Sequence, residues 1–412
     1  MMLTHQLLVG LSLSNLNWGD IFPYFLFLLL CVPAIGYYCY GIYAAIAFFS
    51  RPTPIDPDFY PPVTILKPIC GLDNDTYENF ASFCQQDYPE YEIIFGVRDS
   101  QDPCIEVVQA IMRDFPTVAI QLVVRDRVIG SNLKVSNLFN AVAKAKYDLL
   151  VLADSDVRVD PSYLRQIIQP MSDPQVGVVT CLYRPLTRGW VANFEAVGIS
   201  TEYLASVLVA NQLEGMSFAL GPTVAIRRTV LEKIGGFEAI ADYLADDFQL
   251  GYLPTQAGYK VVLSDYVIDH VISTDSFTDL IRRQIRWACC TRVSRPGGYV
   301  GLIFTYGTAT SLGFLLATHG SGFGWVGLGL TWFTRLLMAW VIGVMKLRDT
   351  TAKRFLWIVP LRDLISFGIW CYCFASNTIQ WRGQQMRLTK AGKLVPLTVK
   401  PVKIFNSSVR LK

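Results

Sequence analysis

The sequence predicts an α/β domain, a parallel sheet covered by helices, held between an N-terminal transmembrane helix and C-terminal membrane helices. Three observations carry that prediction. The 412 residues are 52% hydrophobic and only 17% charged, against roughly 45–50% and about 25% in an average soluble domain. The apolar excess is concentrated at the two ends of the chain. Between them, residues 55–290 alternate β-rich runs with helical spacing, the pattern of a sheet whose ligands gather at the carboxyl ends of its strands.

Residues 1–20 form an N-terminal segment, and residues 21–49, IFPYFLFLLLCVPAIGYYCYGIYAAIAFF, contain no charge. That run exceeds the roughly 20 residues needed to cross a bilayer. No Lys or Arg precedes it and it is too long for a signal-peptide core, so it reads as a retained anchor over 21–50. Arg51 follows at once, and the positive-inside rule then puts the central domain, 51–298, in the cytoplasm.

The first strand is read in PPVTILKPIC, apolar over 63–66 and ended by Lys67 and Pro68. YEIIFGVRDSQDP and AIQLVVRDR repeat the pattern, with helical spacing over 75–86 and 103–114 between them. No Gly-x-Gly-x-x-Gly follows the first strand, so a dinucleotide-binding fold is the weaker version. The next run, VLADSDVRVD, is apolar to Ala153 and then sets Asp154 and Asp156 around Ser155. An Asp-x-Asp alone is ordinary turn chemistry. At a strand's carboxyl end it is also placed to hold Mg²⁺ or Mn²⁺, which keep positions open for substrate phosphates.

Other segments supply the rest of a site. LKPICGLDND gives Asp73 in the loop after the first strand, GSNLKVSNL gives Asn132, Lys134 and Asn137, and YLADDFQLG gives Asp246 and Asp247. Each has a bland alternative, a solvated acidic loop or the start of an amphipathic helix. Asp246 reads as a helix cap or a supporting group. His270, in YVIDHVIS, reads as a core histidine or as a late metal ligand. In TDSFTDLIRRQIRWACC, Phe277, Leu280, Ile281, Ile285 and Ala288 recur at spacings of three and four, an amphipathic helix. Arg283 and Trp287 share a neighbouring face, beside Arg286.

Beyond the domain, 299–378 forms a membrane region and 379–412 a basic tail. Apolar runs at 299–319 and 323–345 lead out and back, leaving KLRDTTAKR inside. A further crossing by 356–378 would put outside a tail that has Lys and Arg but no acid from Gln380 onward. Residues 356–378, with Arg362 and Asp363, are therefore expected to form a re-entrant or surface-lying segment. The ten cysteines include no Cys-x-x-Cys, which suits reduced thiols rather than a zinc site or a disulfide scaffold. Nucleic acid is not expected as a partner of a chain with net charge +3.

In this order the elements resemble the membrane-bound inverting glycosyltransferases of the GT-A fold. Their signature is a single Asp, an Asp-x-Asp, a third Asp, then Gln/Arg-x-x-Arg-Trp. Asp73, Asp154 with Asp156, Asp247, and Arg283 with Arg286 and Trp287 match it in turn. Within that superfamily the likeness is to the ceramide glucosyltransferases, through LKPICGLD, DYPEYEIIFGVRDSQDP, YDLLVLADSDVRV, LADDF, RQIRW and WRGQQMRL.

The resemblance implies a GT-A, Rossmann-like domain that moves glucose from UDP-glucose to the hydroxyl of a membrane lipid, ceramide, with inversion. It implies Mg²⁺ or Mn²⁺ on Asp154, Asp156 and His270, and a donor held by Lys67, Asp73, Lys134 and Asp154. Asp247 is then the general base, Arg283, Arg286 and Trp287 complete the catalytic set, and their helix lies at the membrane surface. Hopanoid-associated glycosyltransferases are also similar, so a hopanoid or diacylglycerol acceptor is an alternative. A processive polysaccharide synthase shares the acids, but it carries Gln where this chain has Arg283 and needs more spans. A degenerate scaffold would have lost an acid or the Arg-Trp pair, and none is lost.

Overall fold

The computed structural model describes residues 18–273, 276–381 and 384–397. Nearly all of the N-terminal segment and the end of the basic tail lie outside the described residues. Eight strands form one sheet: β1 (Val63–Pro68), β2 (Tyr91–Val97), β3 (Ala119–Val124), β4 (Leu149–Ala153), β5 (Val157–Arg158), β6 (Val176–Thr187), β7 (Thr223–Arg227) and β8 (Lys260–Ile272). Their order is β3-β2-β1-β4-β7-β6-β8-β5. β1 pairs in parallel with β2 and β4, in the register Leu66↔Ile94 and Leu66↔Leu152. Helices Thr76–Cys84, Cys104–Asp114 and Leu133–Val142 make the crossovers. Ile65, Leu66, Ile93, Phe95 and Val151 are wholly buried, which explains continuous rather than alternating apolar runs in strands covered on both faces.

The expectation of a parallel sheet holds for this half only. β7 runs antiparallel to both β4 and β6, β8 lies parallel to β6, and β5 closes the edge antiparallel to β8. The reason lies in the connection between β6 and β7. There the helices Trp190–Gly198 and Leu204–Glu214 leave the sheet, the first packing on Thr350–Phe355 and the second on Val32–Phe49, and the chain re-enters at the end it left, so β7 runs back against β6. The result is a mixed sheet.

By length and composition, Phe22–Phe49, Gly322–Lys346 and Thr350–Ala375 could each cross a membrane, and Pro296–Thr305 with Gly307–Ala317 form a pair bent by 55°. Phe323 packs on Tyr24 at 5.1 Å and Lys346 lies over Phe49 at 5.9 Å. Gly322–Lys346 therefore runs in the same direction as the first helix. At the bend, the buried Tyr38 hydroxyl donates to the Thr305 carbonyl and accepts from the Gly307 N–H, both at 2.8 Å. Backbone groups freed by a break in apolar surroundings need such partners. Gly307 is required here, because a Cβ would come within 2.5 Å of that hydroxyl. Tyr38→Phe should cost about 1–3 kcal/mol, read as a lower unfolding temperature in detergent; an unchanged transition would remove this role.

Arg362 and Asp363 are both buried but not paired with each other. Asp363 binds Arg335 at 2.8 Å and accepts from the Thr308 hydroxyl, while the Arg335 guanidinium also donates to the Thr201 carbonyl. At one end of Thr350–Ala375, Asp349 accepts from the Ser200 hydroxyl and Thr351 meets Thr187 of β6. At the other, Arg292 donates to the Ser376 carbonyl. A small antiparallel sheet follows, β9 (Thr378–Trp381), β10 (Gln384–Leu388) and β11 (Leu394–Pro396). It joins the α/β domain through Leu394 N–H to the Asp242 carbonyl at 2.8 Å.

Candidate active site

The site grows from the carboxyl end of β4. Beneath it, Lys67 is wholly buried, its Nζ 3.6 Å from the centre of the Phe83 ring and donating to the Asp154 backbone carbonyl at 2.9 Å. Burial pushes its pKa down to about 7, against the pull of Asp154 and Asp156. Lys67 thus supports the turn through its backbone from below. Above it the Ser155 hydroxyl donates to Asp73 at 2.7 Å, bringing the first acid against the Asp-x-Asp.

Asn132 caps the helix Leu133–Val142, accepting from the Lys134 and Val135 N–H groups, and donates to Asp246 at 3.1 Å. Lys134 is thereby aimed at Asp154, 2.6 Å away, with Asp246 at 3.7 Å. Burial alone would lower the Lys134 pKa, but these carboxylates outweigh it and keep the ammonium charged. Asp246 opens the helix Asp246–Gln256 without capping it, since Ala245 holds the cap position; its carboxylate supports Asn132 and Lys134. Asp247 accepts from the Phe248 N–H at 2.8 Å, and burial together with the Asp246 charge pushes its pKa up to about 6. Gly221 leaves room above it, a Cβ there lying 3.1 Å from the Asp247 carboxylate.

On the far side, β5 pairs Val157 with His270 of β8. This sets His270 Nε2 3.1 Å from Asp156. Burial favours the neutral acid, but His270 outweighs it and holds the Asp156 carboxyl below its usual range. Arg283 lies 3.5 Å from the buried Glu195, near enough for its charge to act on His270. Arg286 and Asp247 both act electrostatically on Cys290, and Trp287 packs at the edge of the main core.

Among the described residues no three His, Cys, Asp or Glu side chains converge as a metal cage. Asp154, Asp156 and His270 are adjacent, but the acids are bonded to Lys134 and His270. One oxygen of Asp156 is nevertheless buried without a partner. That fits the kind of Mg²⁺ or Mn²⁺ site in which one or two carboxylates are completed by substrate phosphates.

The family model described as "Glycosyl transferase family 21" matches residues 26–394. The chain belongs to glycosyl transferase family 21. Similar curated proteins include ceramide glucosyltransferase 3 of Caenorhabditis elegans, 26% identical over 82% of this chain and 74% of the relative. Ceramide glucosyltransferase of Komagataella phaffii is 33% identical over 32% of this chain and 27% of its own. Among solved structures, a mannosyltransferase from Pyrobaculum calidifontis in complex with GDP-Man and Mn²⁺ superposes with a TM-score of 0.54 at 19% identity, covering 85% of this chain and 96% of that one. The fold of this family 21 glycosyltransferase is GT-A.

Two residues of the transferase escape motif reading. Tyr183 of β6 stands edge-on to His270 at 5.3 Å and faces Tyr203 at 6.3 Å. A lone tyrosine in an apolar strand carries no signal. Glu195, an acid inside the apolar helix Trp190–Gly198, carries one, because a buried carboxylate needs a charged partner.

Proposed function

We propose that this family 21 enzyme transfers glucose from UDP-glucose to the hydroxyl of ceramide, inverting the anomeric carbon. The observation that carries the reading is the position of Asp247. On one side Asp246 and Lys134 link it to the Asp154 turn. On the other its charge acts on Tyr203, which lines a cavity of about 170 Å³ among the membrane helices. The relatives named as ceramide glucosyltransferases support the acceptor.

As a carboxylate, Asp247 takes the proton of the acceptor hydroxyl while that oxygen bonds to the anomeric carbon. The bond from that carbon to UDP breaks on the opposite face, and its electron pair leaves with the diphosphate. Arg283 and Arg286 offer fixed charge and planar donors to those phosphates. Lys134 adds a further cation, and Asp73 receives the uridine part. Mg²⁺ or Mn²⁺ held by Asp156 and Asp154 would supply Lewis-acid stabilisation of the leaving group. His270 fixes the Asp156 rotamer, and Trp287 walls the acceptor side.

The test is turnover of the full chain in detergent with UDP-glucose, Mn²⁺ and a panel of ceramide, hopanoid and diacylglycerol. Glucosylceramide is expected, and glucose found only on another lipid would reject the acceptor. We further read the α/β domain as cytoplasmic, with Thr350–Ala375 lying along the membrane surface, since both its ends bond to that domain. A single cysteine at the exposed Lys390, in a cysteine-free background, should resist an impermeant maleimide in intact cells and react after permeabilisation. Labelling without permeabilisation would defeat this topology.

A further inference from the structure

The cavity beside Trp287 and Tyr203 has a mixed wall. Tyr37, Trp287 and Tyr306 give it an aromatic lining, and Glu202 and Arg362 give it a polar end. Its volume of about 170 Å³ is close to that of the roughly 150 Å³ engineered cavity that binds benzene. It is therefore sized for the head region of a lipid, whose chains must leave between the helices. Exposed Val300 and Phe304 lie on the bent segment that borders it.

The polar end is built but incompletely used. Arg362 is 2% exposed, and its guanidinium packs where Gly198 lacks a side chain; a Cβ there would come within 2.1 Å. One terminal nitrogen donates to Gln284 at 3.2 Å and lies 3.7 Å from Glu202. The Nε and the other terminal nitrogen are buried with no partner among the described residues. An unsatisfied buried donor costs about 1–3 kcal/mol. The neighbouring Arg335 differs, each of its three nitrogens donating to Asp363 or to the Thr201 carbonyl.

Glu202 accepts from the Ser366 hydroxyl with Oε2 at 2.8 Å, while a carboxylate offers about four acceptor positions. Burial pushes its carboxyl above the ordinary value, with Arg362 opposing, and a further N–H donor would favour the ionised form. The couple therefore presents spare donors and a spare acceptor side by side.

We propose that Glu202 and Arg362 recognise the secondary amide of an N-acylated long-chain amino alcohol, Arg362 donating to the carbonyl and Glu202 accepting from the N–H. This rests on the ceramide reading above and deepens it. An ester-linked lipid has the carbonyl but no N–H, and a free amine would bring a cation against Arg362. Tyr203 and Trp287 join this end of the cavity to the reacting centre, so the amide would fix where the primary hydroxyl meets Asp247.

The test uses equilibrium binding to the full chain in nanodiscs, with a fluorescent ceramide displaced by unlabelled ceramide or by its N-methyl analogue. The parent should hold the N-methyl lipid at least about tenfold more weakly. Glu202→Leu should bind both alike, as should the double variant E202L/R362M, which leaves no buried charge unpaired. Equal binding of the two lipids by the parent, or absence of ceramide binding, overturns the proposal. Because the readout is binding, an amide preference without glucose transfer would sustain this site while rejecting the proposed reaction.

Discussion

Asp247→Asn should lower kcat about 10²- to 10⁴-fold while leaving UDP-glucose binding close to that of the parent. The substitution keeps the size of the side chain and the bond from Phe248 N–H, and removes only the capacity to accept a proton. It also relieves the repulsion that Asp246 exerts on Asp247, so the folded state should not suffer. The pH profile of the parent should agree. With the Asp247 pKa pushed up to about 6, the competent carboxylate is the major form above pH 6 and is lost as the pH falls through that value. In kcat/KM this appears as an acid limb, which Asp247→Asn should abolish in its residual activity. An Asn variant with near-parental kcat would reject the base assignment.

Asp156→Ala should act on the other half of the reaction. Supporting residues around bound metals typically contribute 10–100-fold in affinity, and a direct ligand should contribute at least as much. UDP affinity in the presence of Mn²⁺ should therefore fall by about 10²-fold, while affinity measured in chelator changes far less. The substitution also leaves the His270 imidazole, 3.1 Å from the lost carboxylate, without that partner. A calorimetric titration with UDP and Mn²⁺ that matches the parent would contradict the reading of Asp156 as a ligand.

The parts of this site that are legible in the sequence are those written locally. Asp73, Asp154 and Asp156 sit in short polar turns after apolar runs, Asp247 lies in the first turn of a helix opened by the acidic pair, and the helix holding Arg283, Arg286 and Trp287 announces itself by its period. The strands β6 and β8 are harder to read. Pro185 falls inside the 12-residue β6, and Asp265, Asp269 and His270 interrupt the 13-residue β8. Proline and charge ordinarily demote a run to an edge or a loop, yet here Arg184 of β6 pairs with Asp269 of β8 across the sheet. Strand direction is likewise set by the helical excursion over 190–214, which leaves no trace in periodicity.

The acceptor side is the least legible for the same physical reason. Glu202 and Arg362 are far apart in sequence and meet only after the chain has passed through the membrane region and returned. Arg362 beside Asp363 looks like a self-contained ion pair in the sequence. In the fold each turns to a different partner, Asp363 to Arg335 and Arg362 toward Glu202 and Gln284. Periodicity locates the helix but not the company its polar residues keep.

In the proposed reaction a single displacement at the anomeric carbon is driven from one face by Asp247 while UDP leaves from the other. Its most direct test is the anomeric configuration of the lipid product made by the full chain from UDP-α-glucose and ceramide, read from the proton coupling of the sugar's first carbon by NMR. A β-linked glucosylceramide is the predicted product. An α-linked product would require attack from the face that UDP leaves, or a second displacement, and would contradict the account.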